Sequence, residues 1–524
     1  MLIDANDLPE NSGIDCDICI AGSGPAGITI ASELAGSGMK VCLIESGGLP
    51  HEDPVQASIV AEQVGLPVDV VKFRNYMFGG ASNLWGGVRR RWLRLRPMDP
   101  LDFEARPWLP DSGWPLSYED LVPYFERAGK IFGLLCHINF SAETHREKIV
   151  SEFHNCDLRT AIFQVTRPTQ FGRVYAGSLA ESHNVHVYLH ARVIEVEEHA
   201  TSPFISCLHV VTPGGMTHRI VAKRFVLACG GLENARLLLA SQRKAAAGIG
   251  NSHDVVGRYY MQHPKGIHGL AVLRRKALRT SLYTGRCTSD RVVISGGLSF
   301  SEDFQRKEEV LNHCILFRPA FILSESPASE AYRAFLRSWH SPRGKPERFA
   351  EFLDAVRSVA TLLGRSLGNG RVSTVFRVAN HMEQMPRAES RLGLSRQKDQ
   401  FGVHQLRTDW RINDVEKRSL RRLHELVRSK LAPGDAGELE SDLDPLAERW
   451  PVVQDSAHHL GATRMHDDPR RGVTNANCGV HGLHNLYISG GSVFPTSGHA
   501  NPTFTIVALA IRLADHLKET SRSA

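Results

Sequence analysis

The feature that most constrains this chain is a glycine-rich turn between an apolar run and a helical pattern near the N-terminus. Apolar residues 18–21 lead into Gly22-Ser23-Gly24-Pro25-Ala26-Gly27, and a second apolar run, residues 41–44, ends at Glu45. Gly22 permits a tight bend, Gly24 lets a pyrophosphate approach the backbone, and Gly27 lets helix and strand pack closely. The helix start presents N–H groups to the phosphates, and the Glu45 carboxylate can accept ribose hydroxyls. The pattern predicts a dinucleotide-binding βαβ unit, and the acid at position 45 favours FAD or NAD over NADP.

The bulk properties of the chain are those of an ordinary globular enzyme. Its 524 residues are enough for two or three domains, and a net charge of +6 is small for that length. We therefore expect no nucleic-acid partner. The N-terminus lacks a basic segment followed by an apolar one, and no apolar stretch reaches the roughly 18 residues of a membrane span. We expect a cytoplasmic protein with no membrane partner.

The ten cysteines are scattered without a paired spacing, which is typical of reduced thiols. Cys16 and Cys19 form a CxxC pair, but both lie in or beside the first apolar strand, where residues three apart point to opposite faces. We interpret them as strand thiols, because no second CxxC and no nearby histidine pair completes a metal site. We expect no metal.

Both ends of the chain carry a strand, a glycine turn and a helix. At the C-terminal end, residues 486–488 lead through Gly490-Gly491 to a helical pattern over 503–517. A hairpin that turns at Pro213-Gly214-Gly215 and two strands, 185–189 and 193–196, are predicted between the ends. We infer one nucleotide-binding domain assembled from both chain ends.

The middle of the chain has a different pattern. Residues 260–410 contain strand-like stretches with a helical insertion at 328–365, and residues 414–430 form an amphipathic helix. The predicted fold class is α/β, with a Rossmann-like domain and a substrate domain built on a mostly antiparallel sheet. The expected segments are 1–100, 185–260 and 450–524 for the nucleotide domain, 101–184 as a connecting, substrate-side segment, and 261–449 for the substrate domain.

Three segments occur in a specific combination and order. The first is the glycine turn with Glu45, and the second is Gly79-Gly80-Ala81-Ser82-Asn83-Leu84-Trp85-Gly86-Gly87. The third is His458-His459-Leu460-Gly461-Ala462-Thr463-Arg464-Met465, followed by residues 485–492 and 498–503. Together they resemble the glucose-methanol-choline (GMC) family of FAD-dependent alcohol oxidoreductases, most of all the pyranose-oxidase-like branch and bacterial sugar and aminoglycoside oxidases. The resemblance is weakest over residues 260–400, where substrate is recognised.

The resemblance implies FAD, held without a covalent bond. In some relatives a histidine in the second segment is bonded to the flavin, and the equivalent position here is Leu84, which cannot form that bond. The residues that the resemblance places at FAD are Gly22, Gly24, Pro25, Ala26, Gly27, Glu45, Ser82, Asn83, Leu84, Trp85, Gly86, Val193, Gly490, Gly491, Pro502 and Thr503.

The resemblance also implies a catalytic pair, His458 and Asn501. Oxidation of an alcohol needs a base for the hydroxyl proton, and a neutral imidazole suits this task near pH 7. An amide beside it can hold the same hydroxyl in place. Gln384 and His459 are candidates for substrate contact, against the alternatives of an ordinary sheet residue and a structural histidine.

The expected reaction is oxidation of an alcohol group on a sugar, glycoside or related polyol to a carbonyl. Flavin N5 would take the hydride, and O₂ or another electron acceptor would reoxidise the flavin. Three alternatives stay open: a redox-neutral FAD-dependent isomerase or lyase, oxidation of a non-sugar alcohol, and a catalytically silent flavin-binding protein. The arginine-rich run 89–96 is interpreted as a solvated or internally paired surface, which leaves an anionic substrate open.

Overall fold

A computed structural model describes residues 1–85, 92–134, 140–150, 153–155, 157–274, 282–289, 292–319, 374–432, 436–441, 443 and 457–522. In chain order the strands are β1 (Leu2–Asp4), β2 (Gly13–Ala21), β3 (Val41–Ile44), β4 (Ala61–Gly65), β5 (Leu93–Leu95), β6 (Leu158–Thr166), β7 (Val185–Leu189), β8 (Arg192–Glu198), β9 (Ile205–Val211), β10 (Thr217–Leu227), β11 (Lys265–Leu273), β12 (Cys287–Ser289), β13 (Val292–Phe300), β14 (Cys314–Pro319), β15 (Thr374–His381), β16 (Arg391–Lys398), β17 (His404–Trp410), β18 (Gly437–Glu440) and β19 (Leu486–Ile488). The helices are α1 (Pro25–Leu34), α2 (Asp53–Gln56), α3 (Val70–Phe73), α4 (Pro100–Phe103), α5 (Val122–Ile131), α6 (Phe171–Glu181), α7 (Glu233–Ala240), α8 (Glu302–Glu308), α9 (Asp414–Leu431) and α10 (Thr503–Arg522).

The first sheet has the order β1-β7-β3-β2-β10-β9-β8, and β19 pairs with the end of β10. The pairs from β1 to β10 and the pair β10–β19 are parallel, whereas β8, β9 and β10 are antiparallel neighbours. Residues 18–21 and 41–44 are buried, as continuous apolar runs are in parallel strands covered on both faces. Helices α1 and α10, from the two chain ends, pack against each other. The predicted Rossmann-like domain built from both ends is confirmed.

One row of residues crosses the carboxyl ends of the parallel strands. Ile44 pairs with Ala21, Ala21 with Leu227, and Leu227 with Ile488. The chain turns away from the sheet immediately after each of these four residues. Ligands bind at this edge of open parallel sheets, so the register brings the predicted cofactor turns together.

The second sheet is antiparallel throughout, with the order β18-β11-β15-β14-β13-β6-β5 and β12 on β13. One face packs on α9, which starts with a capping box of Asn413 and Glu416. The other face carries Phe163, whose ring lies 6.2 Å from that of His499, next to the predicted catalytic loop. The mostly antiparallel substrate sheet is confirmed, and the domain boundaries stay a proposal.

A third sheet joins an N-terminal strand to the end of the middle region: β16 and β17 are antiparallel, and β4 runs parallel to β17. The predicted hairpin is β9–β10, and the predicted strands 185–189 and 193–196 are β7 and β8. The predicted C-terminal helix continues to Arg522. The helical insertion predicted at 328–365 lies outside the described residues. Within the described part of the chain, no helix combines the length and apolar character needed to cross a membrane.

Candidate functional site

The glycine turn after β2 has the close contacts that its sequence predicts. Gly22 has φ of +100°, and a Cβ there would lie 2.5 Å from the carbonyl oxygen of Ala228. A Cβ on Gly27 would overlap the carbonyl oxygen of Gly22. In contrast, a Cβ on Gly24 would meet no atom within 4 Å, so the turn presents open space at this glycine. Pro25 and Ala26 begin α1, whose first N–H groups have no partner within the helix.

The C-terminal glycine turn faces the same space. Gly490 has φ of +123°, and the nearest atom to a Cβ there would be the side-chain amide of Asn234 at 3.9 Å. Gly230, after β10, likewise has no atom within 4 Å of a Cβ position. Gly491 is closed, since a Cβ there would lie 2.7 Å from the Leu460 side chain. Three turns, at Gly24, Gly230 and Gly490, therefore leave space beside the backbone, and we call them the open edge of the first sheet.

Asn234, which sequence reasoning missed, ties two of these turns together. Its buried Oδ1 accepts the Cys229 N–H at 2.9 Å, and its Nδ2 donates to Ser489 O at 3.2 Å and Ser492 Oγ at 3.1 Å. One amide thus satisfies the backbone ends of β10 and β19. Asparagine at the start of an apolar helix was the available signal, but the pattern does not indicate a partner 255 residues away.

Glu45 lies buried directly after β3. Its Oε2 accepts from Ser23 N at 3.2 Å and Ser23 Oγ at 2.5 Å, and its Oε1 accepts from Gly47 N at 3.1 Å. Burial raises the pKa of this carboxyl group, although the same hydrogen bonds oppose the shift. Two carboxylate oxygens have about four acceptor positions, and Ser23, Ser46 and Gly47 all contribute hydrogen bonds to them. Ala191 N donates to Glu45 O at 2.8 Å, which brings the start of β8, and with it Val193, beside this acid.

Residues 79–85, the described part of the second segment, lie against the first glycine turn. Gly79 N donates to Ser23 O at 3.0 Å, and a Cβ on Gly80 would lie 3.0 Å from Gly24 Cα. Ser82 is buried, where its Oγ donates to Gly79 O at 2.6 Å. The loop is therefore part of the wall of the candidate cofactor site.

The remaining loop residues differ in what they face. Asn83 Nδ2 donates to Phe78 O at 2.9 Å, and Trp85 packs edge-on against Phe171. Leu84 is 44% exposed and has no group that could bond to a flavin. Gly86 lies outside the described residues.

His458, the predicted base, follows Ala457, which has a left-handed φ of +62°. Its Nδ1 lies 2.9 Å from Nδ1 of His263, and the two rings meet edge to face at 4.9 Å. No residue that the structure describes forms a hydrogen bond with its Nε2. Burial lowers the pKa of His458 well below its usual value, and Lys265 and His263 lower it further, so the imidazole is neutral at pH 7.

Asn501 lies in the loop that leads through Pro502 to Thr503, the first residue of α10. Its Nδ2 donates to Arg94 O at 2.9 Å, which assigns the orientation of the amide. One N–H and the Oδ1 remain without a partner among the described residues. His263 Nε2 hydrogen-bonds Ser497 O at 2.8 Å in the same loop, so one short segment contacts the surroundings of both predicted catalytic residues.

Buried polar atoms without partners surround this pair. They are Nε2 of His381, of His459 and of His499, whereas Nδ1 of His499 lies 3.6 Å from a carboxylate oxygen of Asp99. Leaving such groups unpaired in a dry interior costs about 1–3 kcal/mol each. A site of this kind therefore fits a polar ligand, and together with the open glycine turns it fits a dinucleotide and a hydroxyl-bearing substrate.

The two predicted substrate contacts have different environments. Gln384 is buried, and its Oε1 accepts from Gln262 N at 2.9 Å and from Trp410 Nε1 at 2.8 Å. Its Nε2 donates to Arg411 O, so these hydrogen bonds hold the amide within the framework, and its contact with substrate stays a prediction. His459 donates or accepts at Nδ1 with Tyr260 Oη at 2.8 Å and retains the unpaired Nε2. The sequence pattern around Gln384 could not show whether its side chain packs inside the protein or faces a ligand.

The structure describes part of the arginine-rich run and one cluster of possible metal ligands. In the arginine-rich run, Arg94 Nε donates to Ser295 Oγ at 3.0 Å and Arg96 pairs with Asp99, which fits the internally paired interpretation. Among the described residues one group, Glu197, Cys207 and His209, has donor atoms close enough for a metal ion. The guanidinium groups of two arginines occupy its surroundings: Arg219 lies 3.4 Å from the Cys207 sulfur and Arg243 lies 3.3 Å from the Glu197 carboxylate. Fixed cations at these distances oppose metal binding, and we assign no metal there.

Comparison with known proteins finds one matching family model and several similar relatives. A family model described as GMC oxidoreductase matches residues 386–510. The chain is 24% identical to 2-methyl-1,2-propanediol dehydrogenase of Mycolicibacterium austroafricanum, over 96% of this chain and 95% of the dehydrogenase. It is 24% identical to paromamine 6'-oxidase of Streptomyces fradiae, over 95% of this chain and 90% of the oxidase.

Among solved structures, pyridoxine 4-oxidase from Mesorbium loti superposes with a TM-score of 0.58 at 16% identity, over 96% of this chain and 99% of the oxidase. Formate oxidase from Aspergillus oryzae superposes with a TM-score of 0.56 at 15% identity, over 98% of this chain and all of the oxidase. These likenesses show a shared fold across nearly the whole chain.

Proposed function

We propose that this chain, which is similar to the FAD-dependent GMC oxidoreductases, oxidises an alcohol group on a sugar, glycoside or related polyol to a carbonyl. The observation that carries the proposal is the neutral, partly open imidazole of His458, with an unpartnered Nε2, beside the loop of Asn501. Relatives named as a fructose dehydrogenase large subunit and a paromamine 6'-oxidase support a sugar-like substrate.

The residues that would hold FAD are those of the open edge. The N–H groups at the start of α1 would face the pyrophosphate, and the Glu45 carboxylate would accept a ribose hydroxyl. Gly490, the start of α10 at Pro502 and Thr503, and the loop of Ser82 would enclose the rest. Because Leu84 offers no bonding atom, we propose that the cofactor is released when the protein is denatured in acid.

When bound, FAD supplies an acceptor for the hydride that leaves the alcohol carbon. His458 accepts the hydroxyl proton at Nε2, and its low pKa keeps that nitrogen unprotonated before the reaction. Asn501 donates its remaining N–H to the same oxygen and holds the alcohol in one orientation. The hydride would carry away both electrons lost by the carbon, and loss of the hydroxyl proton to His458 lets the oxygen form the carbonyl bond.

The test is anaerobic reduction of the flavin by a panel of sugars, glycosides, aminoglycosides and simple diols, followed by stopped-flow rates for the substrate that bleaches it. His458→Gln should retain FAD and reduce it about 10²–10⁴-fold more slowly. His484→Gln is the matched control, since His484 is exposed and packs on Phe204 at the surface. A His458→Gln protein with full FAD and a rate within threefold of the control would refute the assignment.

The same experiment separates the alternatives. Bleaching by diols alone would favour a non-sugar alcohol, in line with the propanediol dehydrogenase relative. Conversion of substrate without any bleaching would favour an isomerase or lyase. Admission of air then distinguishes O₂ from another electron acceptor. The cytoplasmic location inferred from the sequence stays a prediction.

A further inference from the structure

We propose that His263 is a positioning residue that holds His458 in the tautomer with a bare Nε2. This inference rests on the proposed role of His458 as the base. His263 is 195 residues from His458 in sequence, and its imidazole lies between the His458 ring and the backbone of Ser497. The two hydrogen bonds of His263, one to Ser497 O and one to His458 Nδ1, allow only one assignment of donors and acceptors.

The direction of the hydrogen bond between His263 and Ser497 follows from the chemistry of the Ser497 carbonyl group. The Ser497 oxygen can only accept, so His263 Nε2, at 2.8 Å, must carry the hydrogen. Full burial lowers the pKa of His263 to about 4, which makes this imidazole neutral at pH 7. A neutral imidazole with hydrogen on Nε2 has a lone pair on Nδ1.

The second hydrogen bond then has only one direction. His263 Nδ1 can only accept, so His458 Nδ1, at 2.9 Å, must donate. A neutral His458 with hydrogen on Nδ1 has its lone pair on Nε2, the nitrogen with no partner among the described residues. The opposite tautomer would place two lone pairs against each other at 2.9 Å and put a hydrogen where the base must accept one.

The arrangement also limits where the proton can go after transfer. Protonated His458 still donates from Nδ1 to His263, so that hydrogen bond becomes charge-assisted. His263 cannot pass the proton on, because its own Nε2–H is directed at a carbonyl oxygen. The proton therefore stays on Nε2 of His458 and must leave on the side from which it came.

The Ser497 residue that accepts the His263 hydrogen bond is itself held in place by hydrogen bonds. Ser497 is buried, and its Oγ accepts Gln384 N–H at 2.9 Å and donates to Gln384 O at 3.2 Å. Asn501 lies four residues further along the same loop. One loop thus carries the amide that orients the alcohol and the carbonyl that selects the tautomer of the base.

The first test reads the tautomer directly. In FAD-loaded protein with ¹⁵N-labelled histidine, two-bond ¹⁵N–¹H correlations distinguish hydrogen on Nδ1 from hydrogen on Nε2. The His458 signals are identified by their loss in His458→Gln. We expect hydrogen on Nδ1 in the wild-type protein, and hydrogen on Nε2, alone or in mixture, in His263→Leu. Hydrogen on Nε2 of His458 in the wild-type protein would overturn the proposal, whatever the substrate is.

The second test separates positioning from a structural role. His263→Leu has no acceptor, so kcat should fall about 10- to 100-fold with little change in KM. His263→Asn retains an acceptor near the position of Nδ1 and should recover most of kcat. Equal losses in the leucine and asparagine variants, or a loss in KM alone, would refute the inference. If His263→Leu does not fold, the wild-type spectrum and the asparagine variant still decide it.

Discussion

Arg106→Leu should destabilise the protein by about 3–5 kcal/mol, because it would leave a buried carboxylate without its partner. Arg106 and Glu383 both have 0% exposed side chains. Their contact is bidentate, with Nη1 to Oε2 at 3.0 Å and Nη2 to Oε1 at 2.5 Å. Asn312 N, which donates to Glu383 Oε2 at 2.7 Å, would be the only donor left to this carboxylate among the described residues.

The loss of stability caused by Arg106→Leu should depend on pH, and its direction follows from the pKa values of the buried carboxyl groups. Burial by itself raises the pKa of Glu383, but Arg106 outweighs it, so the pKa is lowered in the folded protein. This group stabilises the fold above its unfolded pKa, and the contribution is lost as the pH falls through the folded pKa. Nearby Asp102 has a pKa raised to about 7 by burial and by the charges of Glu383 and Asp99.

Without Arg106, the attraction that lowers the pKa values of Glu383 and Asp102 is lost. Burial and mutual repulsion would raise the pKa of Glu383 above its unfolded value and raise that of Asp102 further. A group with a raised carboxyl pKa destabilises the fold increasingly as the pH rises from the unfolded toward the folded pKa. Arg106→Leu should therefore be more destabilising at about pH 8 than at about pH 5.5.

Thermal unfolding of the FAD-loaded proteins, followed by circular dichroism at one scan rate, measures this effect. For a cooperative unit of 150–250 residues, 3–5 kcal/mol lowers Tm by about 10 °C. Arg306→Leu is the matched control, because Arg306 pairs with Glu104 at 2.7 Å but the two side chains are 44% and 47% exposed. Such surface pairs contribute about 0–1 kcal/mol. A Tm for Arg106→Leu within 2 °C of the control, or a larger loss at acid pH, would refute the reasoning.

Two further predictions concern the cofactor turn and the N-terminal strand. Gly27→Ala should abolish FAD retention, because the added Cβ would overlap a backbone carbonyl oxygen. Gly13→Ala is the control and should retain FAD, because no atom lies within 4 Å of a Cβ at that position. The ratio of flavin to protein absorbance measures FAD retention in both variants. His190→Asn should lower Tm more at about pH 6 than at about pH 8.5. Burial lowers the pKa of His190, but hydrogen bonds to Glu52 and Asp4 outweigh it and raise the pKa, so the stabilisation is present at low pH and is lost as the pH rises. An equal loss of Tm at both pH values would contradict this account.

Local patterns predicted the nucleotide turn well because the constraints on it are local. The close approach of Gly27 to Gly22, the helix start at Pro25 and the buried run of β3 each depend on residues within one βαβ unit. The same holds for the β9–β10 hairpin and for α9 with its capping box. In these segments steric limits, burial and capping act over a few residues, so sequence spacing is sufficient to predict them.

The sequence by itself determined the residue types of the candidate site: the glycines of two turns, the acid after β3, and the imidazole and amide of the proposed catalytic pair. Only the tertiary structure decided how they are arranged. The row Ile44–Ala21–Leu227–Ile488 brings the turns to one edge, and packing of the second sheet brings His263 to His458. Packing also placed the Gln384 amide against Trp410 and the backbone of Gln262 and Arg411. Such contacts join residues hundreds of positions apart, and their geometry depends on strand order and sheet packing, which no local pattern encodes.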